Sequence, residues 1–344
     1  MDLMTPTWWL LGLAFALAWL LTGALRRYAL ARNVIDVPNE RSSHKTPTPR
    51  GGGISFVVAF VVGMLIMGAA GVVTWSLVYG LAVAGAWIAL IGFLDDHGHI
   101  QARWRLLAHF IGAAWGLYWM GGAPALSIGG LLLAQGWVLN IAAAFYLVWL
   151  LNLYNFMDGI DGLASIEAIC VTLGGGILYA CTGTGDAEQP TILLAVTVFG
   201  FLLWNFPPAK IFMGDGGSGF LGLVLGLLSL KAGWQEPALF WAWAILLGVF
   251  IVDATVTLLR RLMRGEKVYE AHRTHAYQYA SRKWGSHRSV TLAVLAINVL
   301  WLFPMAFLVA VGMIDGALGT TLAYAPLIIA ALRLNAGQRE PASA

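Results

Sequence analysis

The chain has 344 residues, of which 59% are apolar and only 11% are charged, and its formal net charge is +3. So few charges cannot cover the surface of a soluble domain. Apolar runs of about 20 residues, the length that crosses a bilayer, recur along the sequence. The composition therefore excludes an ordinary soluble protein and predicts an all-α fold, a polytopic membrane helical bundle. Cys170 and Cys181 give neither a disulfide framework nor a metal site.

Apolar segments predict about eleven transmembrane helices, with ten as the alternative count. The first segment lacks the basic region of a signal peptide and is interpreted as a retained span. The eighth is short, which predicts a helix that is tilted or buried within the bundle. The segments are 6–25, 53–71, 75–94, 105–122, 131–151, 163–181, 191–206, 217–231, 238–259, 289–312 and 317–334.

The basic residues predict the orientation of these spans. When every second connection, beginning after the first segment, is assigned to one side, that side holds 19 of the 20 lysines and arginines, and Lys231 is the exception. Loops rich in Lys and Arg stay in the cytoplasm, so the N-terminus is predicted to be periplasmic and the C-terminus cytoplasmic. We predict one membrane domain over residues 1–335 and a disordered cytoplasmic tail over 336–344.

The clusters with chemical character all fall in the predicted cytoplasmic connections. The bundle is therefore expected to bring them together at one membrane face. They are DVPNERSSHKTPTPRGGG (36–53), GFLDDHGH (92–99), NFMDGIDG (155–162), WNFPPAKIFMGDGGSG (204–219) and residues 260–288.

Carboxylates dominate two of these connections. The adjacent Asp95 and Asp96 repel each other unless a cation or a donor lies between them, and on their own they indicate a solvated helix end. Asn155, Asp158 and Asp161 are spaced by three, which predicts one stripe of a helix, with a glycine-terminated polar cap as the alternative. Four carboxylates in neighbouring loops favour a divalent cation with oxygen ligands, Mg²⁺ above all.

The Gly-rich segment IFMGDGGSG adds Asp215 just before a helix whose first amide groups are free to bind an anion. It does not have the G-x-x-x-x-G-K-[ST] pattern of a P-loop. Spacing alone favours ordinary packing for Phe212 over a ring on which a base stacks.

Basic side chains surround these carboxylates in the predicted topology. Lys45 and Arg50 lie in the TPTPRGGG connection, and His272, Arg273 and His275 lie in the long final loop. Such groups bind phosphate or transfer protons. Several cations, carboxylates and a Mg²⁺ ion at the mouth of a membrane bundle indicate a diphosphate substrate and an acceptor that comes from the lipid.

Asp253 is a separate case, because an unpaired charge inside a span is costly. It is interpreted either as a functional residue or as a partner for an arginine, Arg260, on the same helix.

Six motifs resemble, in order, those of the polyprenyl-phosphate N-acetylhexosamine-1-phosphate transferases, the MraY/WecA superfamily, over about residues 33–290. PNERSSH and AHRTHAYQY are most similar to the WecA/WbpL-like branch that starts O-antigen synthesis in Gram-negative bacteria. The other motifs are FLDD, NLYNFMDGIDGLA, NFPPAKIFMGDGGSGFLG and VDATVTLLRR.

The resemblance implies transfer of an N-acetylamino-sugar 1-phosphate from a UDP-sugar to undecaprenyl phosphate, with release of UMP. It implies a requirement for Mg²⁺, with Mn²⁺ as a substitute, and an active site on the cytoplasmic face of the bacterial inner membrane. The donor is expected to be UDP-GlcNAc or a deoxy sugar such as UDP-FucNAc or UDP-QuiNAc, and the product is expected to feed O-antigen or a related surface glycan. Relatives often dimerise, and no nucleic-acid partner is expected.

Matched residue by residue, the resemblance implies three catalytic positions: Asp95 and Asp96 at the lipid phosphate, and Asp215, with Asp96, at the metal. Phe212 matches a residue that stacks on uracil, which reverses the preference for packing. The implied substrate-binding residues are Lys45, Arg50, Asn155, Asp158, Asp161, Asn205, Phe212, Asp253, His272, Arg273 and His275. Where relatives have His-His-His or His-Ile-His-His, this chain has His-Arg-Thr-His, so only the outer two positions match. Arg273 is expected to contact the sugar or the diphosphate in place of a middle histidine.

The chemistry expected is a single in-line displacement by the lipid phosphate, with a covalent aspartyl intermediate as the alternative. Two other classes of membrane protein share single features with this sequence. CDP-alcohol phosphotransferases carry D-G-x-x-A-R, but Ser165 replaces the arginine after D-G-L-A, so that class is rejected. An ion-coupled transporter that uses Asp253 is the other alternative.

Overall fold

The structure is a computed structural model and describes residues 7–38, 46–98, 100–183, 185, 187–266 and 272–338. Helices dominate it, and every predicted apolar segment overlaps at least one helix. A chain in lipid must satisfy its backbone N–H and C=O groups internally, and a helix does so within one segment.

The helices are α1 Thr7–Ala31, α2 Ile54–Ala69, α3 Trp75–Leu77, α4 Ala84–Gly98, α5 Ala102–Met120, α6 Trp137–Met157, α7 Leu163–Thr182, α8 Glu188–Asn205, α9 Asp215–Gln235, α10 Pro237–Leu246, α11 Gly248–Met263, α12 Ala276–Trp284, α13 His287–Ile297, α14 Phe303–Ala310 and α15 Gly316–Arg333. Two π-helical segments, Val78–Val83 and Asn298–Leu302, join α3 to α4 and α13 to α14.

The helical membrane fold is confirmed, but a count of eleven spans is not. Among the described residues, seven helices are long and apolar enough to cross a membrane, and the bent pair of α10 and α11 raises the number to eight. Helix α2, with 16 residues, is among the predicted spans that fall short. The orientation of the termini stays a prediction.

Helix α9 forms the centre of the bundle. It is 94% buried over an apolar stretch of 18 residues, which supports burial over tilt as the alternative for the eighth segment. The helix has 21 residues and is therefore not short, as the sequence had indicated. It packs against α4 on one side and α6 on another. Phe220 of α9 makes an edge-on contact with Phe60 of α2, with 5.6 Å between the ring centroids. The first residue of this central helix is Asp215, so the packing of the core fixes the position of that carboxylate.

Helices α10 and α11 meet at an angle of 70°. Glu167 of α7 is fully buried, and one oxygen of its carboxylate accepts a hydrogen bond from Asn298 Nδ2 at 2.6 Å.

Two small antiparallel sheets were not predicted. Strand β1 (Ile35–Asp36) pairs with β2 (Thr48–Pro49), and β3 (Leu126–Ile128) pairs with β4 (Leu131–Leu133). The predicted helix over 131–151 was therefore wrong at its start, because Leu131–Leu133 is extended and α6 begins at Trp137. The apolar side chains of β4 look like helix in a hydropathy pattern, but the turn at Gly129 and Gly130 folds them back onto β3.

Candidate active site

The polar ends of several helices meet at one end of the bundle. Arg50, which precedes α2, forms an ion pair with Asp96 near the end of α4. The Asp215 amide at the start of α9 donates to the other oxygen of Asp96 at 3.2 Å. Ser218 of α9 donates to Asn155 of α6 at 2.7 Å. The connections that the sequence predicted to converge therefore do so.

Seven residues predicted from the sequence line one pocket at this end. They are Arg50, Asn155, Asp158, Asp161, Asn205, Phe212 and Asp215. Six other predicted residues do not line it, namely Asp95, Asp96, Asp253, His272, Arg273 and His275. Lys45 lies outside the described residues.

The loop that carries Asp215 is held by backbone contacts on two sides. The Gly52 amide donates to Phe212 O and the Gly53 amide donates to Met213 O, both at 2.9 Å. On the other side, a Cβ on Gly92 of α4 would lie 2.5 Å from the carbonyl carbon of Asp215, so α4 touches this backbone directly. Two Gly-rich segments and one helix thus fix the carboxylate at the pocket wall.

The adjacent aspartates have different partners. Both oxygens of Asp96 are engaged at the site, one by Arg50 and the other by the Asp215 amide. Asp95 instead forms an ion pair with Arg105 and accepts from the Ile100 amide at 2.6 Å. Consecutive residues of a helix point about 100° apart, so they face different neighbours. The prediction of a solvated helix end was wrong, since both carboxylates are nearly buried.

The prediction that Asn155, Asp158 and Asp161 form one stripe of a helix was also wrong. Helix α6 ends at Met157, and the chain turns through Gly162, whose φ of 73° is in the left-handed region, before α7 begins. Glycine adopts that region without steric cost, so the helix stops here as the alternative interpretation held. The three side chains still share the pocket, because the turn aims them at it.

Asp161 connects the pocket to the long final loop. Its carboxylate lies 3.2 Å from His287 Nδ1 at the start of α13 and accepts from the Ala209 amide at 3.0 Å. The next residue, Gly162, donates its amide to Asn205 Oδ1 at 3.0 Å. These contacts tie three connections together on the Phe212 side of the pocket.

Asp253 is buried and binds the N-terminus of α12. Its carboxylate accepts from the amides of Ala276 at 2.9 Å and Tyr277 at 3.0 Å, and it lies 3.3 Å from His275 Nδ1. A carboxylate on free amides at a helix N-terminus stabilises that helix. The expected pairing with Arg260 does not occur, because Arg260 Nη1 donates to Ala336 O at 2.8 Å.

The ring centroid of His272 lies 6.4 Å from that of Phe156, the residue after the pocket residue Asn155, and 4.9 Å from that of His275. Thr274 Oγ1 lies 3.0 Å from His272 Nδ1 and fixes the ring. Burial, followed by the effect of His275, lowers the pKa of His272 to about 3. The imidazole is therefore neutral at pH 7, which suits hydrogen bonding more than charge pairing with a phosphate.

The pocket is strongly acidic. Burial raises the pKa of Asp158 well above its usual value, and nearby carboxylates, Asp215 first, raise it further. Carboxylates that repel one another in a buried site are relieved by a bound cation. A cation bound in this pocket would relieve the repulsion between Asp158 and Asp215.

The oxygen ligands of the pocket fit an ion such as Mg²⁺ that shares its ligands with a substrate and water, and they do not suffice for a metal bound by protein side chains alone. Within the described ranges, no group of three His, Cys, Asp or Glu side chains could hold an ion. Mg²⁺ in nucleotide sites takes one or two carboxylates and completes its shell with phosphate and water oxygens. Asp215 and Asp158 supply such a pair at the pocket wall, whereas both oxygens of Asp96 are already engaged.

Sequence reasoning missed several residues of the site. Asp36, Gln278 and His287 line the pocket, and Arg105 holds Asp95. Gln278 and His287 lie in the final loop and its flanking helices, where the cluster of basic and polar residues was the available signal. Arg105 was counted only as a charge that sets topology.

Comparison with known protein sequences places this chain in a family. The family model for glycosyl transferase family 4 matches residues 78–233. A decaprenyl-phosphate N-acetylglucosaminephosphotransferase of Mycolicibacterium smegmatis is 30% identical over 334 residues, which is 87% of this chain and 80% of that protein. A "probable undecaprenyl-phosphate N-acetylglucosaminyl 1-phosphate transferase" of Bacillus subtilis is 28% identical over 298 residues, or 82% of this chain and 79% of that protein.

A more distant match is a phospho-N-acetylmuramoyl-pentapeptide-transferase of Moorella thermoacetica, 30% identical over 233 residues, covering 63% of this chain and 70% of that protein. The family model covers the helices that carry Asn155, Asn205 and Asp215, and the two relatives named first match more than four fifths of the chain. The comparisons give no support to a transporter. The chain belongs to glycosyl transferase family 4, in the superfamily of polyprenyl-phosphate N-acetylhexosamine-1-phosphate transferases.

Proposed function

We propose that this protein transfers an N-acetylamino-sugar 1-phosphate from a UDP-sugar to undecaprenyl phosphate and releases UMP. One observation carries the proposal: side chains from distant connections line a single pocket at one end of a membrane bundle, with Asp215 at the start of the central helix. A site at a helix end can accept a nucleotide from water and a prenyl phosphate from the bilayer.

The phosphate groups of the donor would bind beside Arg50, which lines the pocket together with Gly214 and Asp215 at the start of α9. Asp96 orients the guanidinium of Arg50 and also accepts a hydrogen bond from the Asp215 amide. One carboxylate therefore positions both Arg50 and the start of α9. We propose that Asp215 and Asp158 hold Mg²⁺, which when bound offsets the charge of a diphosphate. Mn²⁺ offers the same oxygen preference and is the expected substitute.

The nucleoside end of the donor would lie near Phe212. This ring is half-buried and lines the pocket together with Asn205 and Asp161. A half-exposed aromatic ring beside hydrogen-bonding groups can stack on a base and select it by its polar edge. We assign uracil recognition to this side of the pocket.

The acceptor would approach from the side of Asp95 and Arg105. About one third of the Arg105 side chain is exposed, at 32%, and its charge attracts a lipid phosphate. That phosphate is already mostly ionised at neutral pH, because the second pKa of a phosphate monoester is about 6. Asp95 then positions the acceptor through Arg105 for in-line attack on the donor phosphorus, rather than removing a proton from it.

We place the pocket on the cytoplasmic face of the bacterial inner membrane. The connections that form it belong to the side that carries 19 of the 20 basic residues. The donor we propose is UDP-GlcNAc or a deoxy sugar such as UDP-FucNAc or UDP-QuiNAc, and the product would start O-antigen or a related glycan.

The test is UMP release by the purified protein in detergent. We expect release only when a UDP-HexNAc, undecaprenyl phosphate and Mg²⁺ are all present. EDTA should reduce the rate by at least about 10²-fold because the diphosphate charge is no longer offset, and added Mg²⁺ should restore it. A panel of UDP-sugars identifies the donor. Lipid-linked sugar without UMP release, or turnover that EDTA leaves unchanged, would refute the proposal.

Acidification should destabilise the protein partly through His272. Its pKa of about 3 in the folded state lies below the value of about 6.5 for an unfolded histidine, so the folded state binds fewer protons between these values. Stability is therefore lost as the pH falls below about 6.5. Because the ring is partly exposed, we expect only about 2 °C more loss of thermal stability between pH 7 and pH 5 in wild type than in His272→Gln.

The measurement is thermal unfolding of both proteins in the same detergent. Equal losses in the two proteins would show that His272 does not titrate as its burial indicates.

A further inference from the structure

The segment 334–338 follows α15 and packs against the C-terminal end of α11. We call these residues the 334–338 strap. Ala336 is fully buried, and its carbonyl accepts from Arg260 Nη1 at 2.8 Å. The carbonyl of Gly337 accepts from Arg264. Residues 336–338, which the sequence assigned to a disordered tail, thus have definite partners, and residues 339–344 lie outside the described residues.

The strap also reaches the histidine loop. The Gly337 amide donates to Thr274 O at 2.6 Å. Thr274 in turn holds His272, because its Oγ1 lies 3.0 Å and its amide 3.4 Å from Nδ1 of the imidazole. A continuous series of hydrogen bonds therefore runs from α11 through the strap to this ring.

The close packing of Gly337 against α11 fixes the position of the strap. Gly337 has a φ of 72°, which favours glycine. A Cβ at this position would lie 2.8 Å from Thr257 O and 3.0 Å from Arg260 Cβ. The backbone of the strap therefore lies directly against α11, and a side chain at Gly337 would push it away.

Ordinary helix capping does not account for this arrangement. Arginine side chains commonly bond carbonyl groups near helix ends, and that would explain Arg260 and Arg264 alone. The bond from Gly337 to Thr274 is different, because it joins the strap to a loop that neither α11 nor α15 needs for its own termination. It constrains the residue that fixes His272.

We propose that the 334–338 strap is a positioning element for the donor site, which holds the His272–His275 loop in register with the pocket. The inference rests on the proposed function and on the family resemblance, which implies that His272 binds substrate. The strap touches neither substrate. It acts through Thr274, whose carbonyl it holds and whose side chain orients the imidazole.

The experiment uses two matched pairs of full-length variants in detergent. Gly337→Ala is paired with Gly265→Ala, because Gly265 has a similar φ of 69° and no atom near its added Cβ. Deletion of residues 335–344 is paired with deletion of 339–344. For each protein we would measure kcat, KM for the UDP-sugar, thermal stability, and hydrogen exchange of the amides of residues 272–278.

Gly337→Ala and the longer deletion should lower kcat by about tenfold to a hundredfold, the loss expected when a group near the reaction moves by about 1 Å. Exchange at residues 272–278 should rise at least about fivefold in the same two variants. KM should change less than kcat, and the control variants should match wild type. The supporting result includes thermal stability within about 3 °C of wild type.

Unchanged exchange in the loop would overturn the proposal, as would a loss of kcat that only parallels a loss of folded protein. Hydrogen exchange does not depend on turnover. If wild type releases no UMP, the proposed function fails, while the exchange data still decide whether the strap holds the loop.

Discussion

Asp215→Asn is expected to abolish UMP release, with a fall in kcat of at least about 10³-fold. The substitution keeps the size and shape of the side chain and removes its charge. Asp215 lines the pocket, and no described residue donates a hydrogen bond or forms an ion pair with its carboxylate. Its negative charge is thus available to a cation, and the neutral amide cannot hold Mg²⁺ with comparable strength.

Stability separates this effect from misfolding. Asp215 repels the carboxylates of Asp96 and Asp158 in the folded protein. Without Mg²⁺, Asp215→Asn should therefore unfold at the same temperature as wild type or at a higher one. Added Mg²⁺ should raise the unfolding temperature of wild type only, because a ligand stabilises the state that binds it.

Asp36→Asn is the matched control, since Asp36 lines the same pocket but lies in β1. We expect kcat of Asp36→Asn to change by less than about tenfold, because this charge does not contact the diphosphate and acts on it only through screened solvent. Equal losses in the two variants would mean that the total charge of the pocket, and not the position of Asp215, determines activity. Full turnover by Asp215→Asn would remove this residue from the proposed metal site.

Asp96→Asn is expected to lower kcat by about 10²-fold without affecting the fold. Asparagine keeps one acceptor oxygen, so it cannot serve both Arg50 and the Asp215 amide. The guanidinium then loses the partner that aims it, and the start of α9 loses a contact with α4. Turnover and thermal unfolding are the measurements.

A double-mutant cycle tests the mechanism of this loss. If Asp96 acts by orienting Arg50, Arg50→Gln combined with Asp96→Asn should cost little more than the worse single variant. Additive losses would show that the two residues act separately. Asp95→Asn is the neighbouring comparison, and its loss should be coupled to Arg105 and not to Arg50.

The local chemistry of the site was readable from the sequence, but the partners of its residues were not. Asp95 and Asp96 are adjacent and looked alike, yet Arg105 pairs with one and Arg50 with the other. Asp253 was recognised as costly within a span, but its true partners lie more than twenty residues away, at the start of α12. Helix direction and packing decide such contacts, and neither is encoded in residue spacing.

By itself the sequence determined that this is a helical membrane protein with its chemistry gathered at helix ends. Lipid forces apolar segments into helices and drives charges to the surface, so composition and pattern are sufficient for both conclusions. Only the tertiary structure decided that α6 stops before Asp158, that α9 is the buried centre, and that the strap reaches Thr274. Those features depend on which surfaces pack together, because a contact across the bundle stabilises a conformation that no local segment prefers alone.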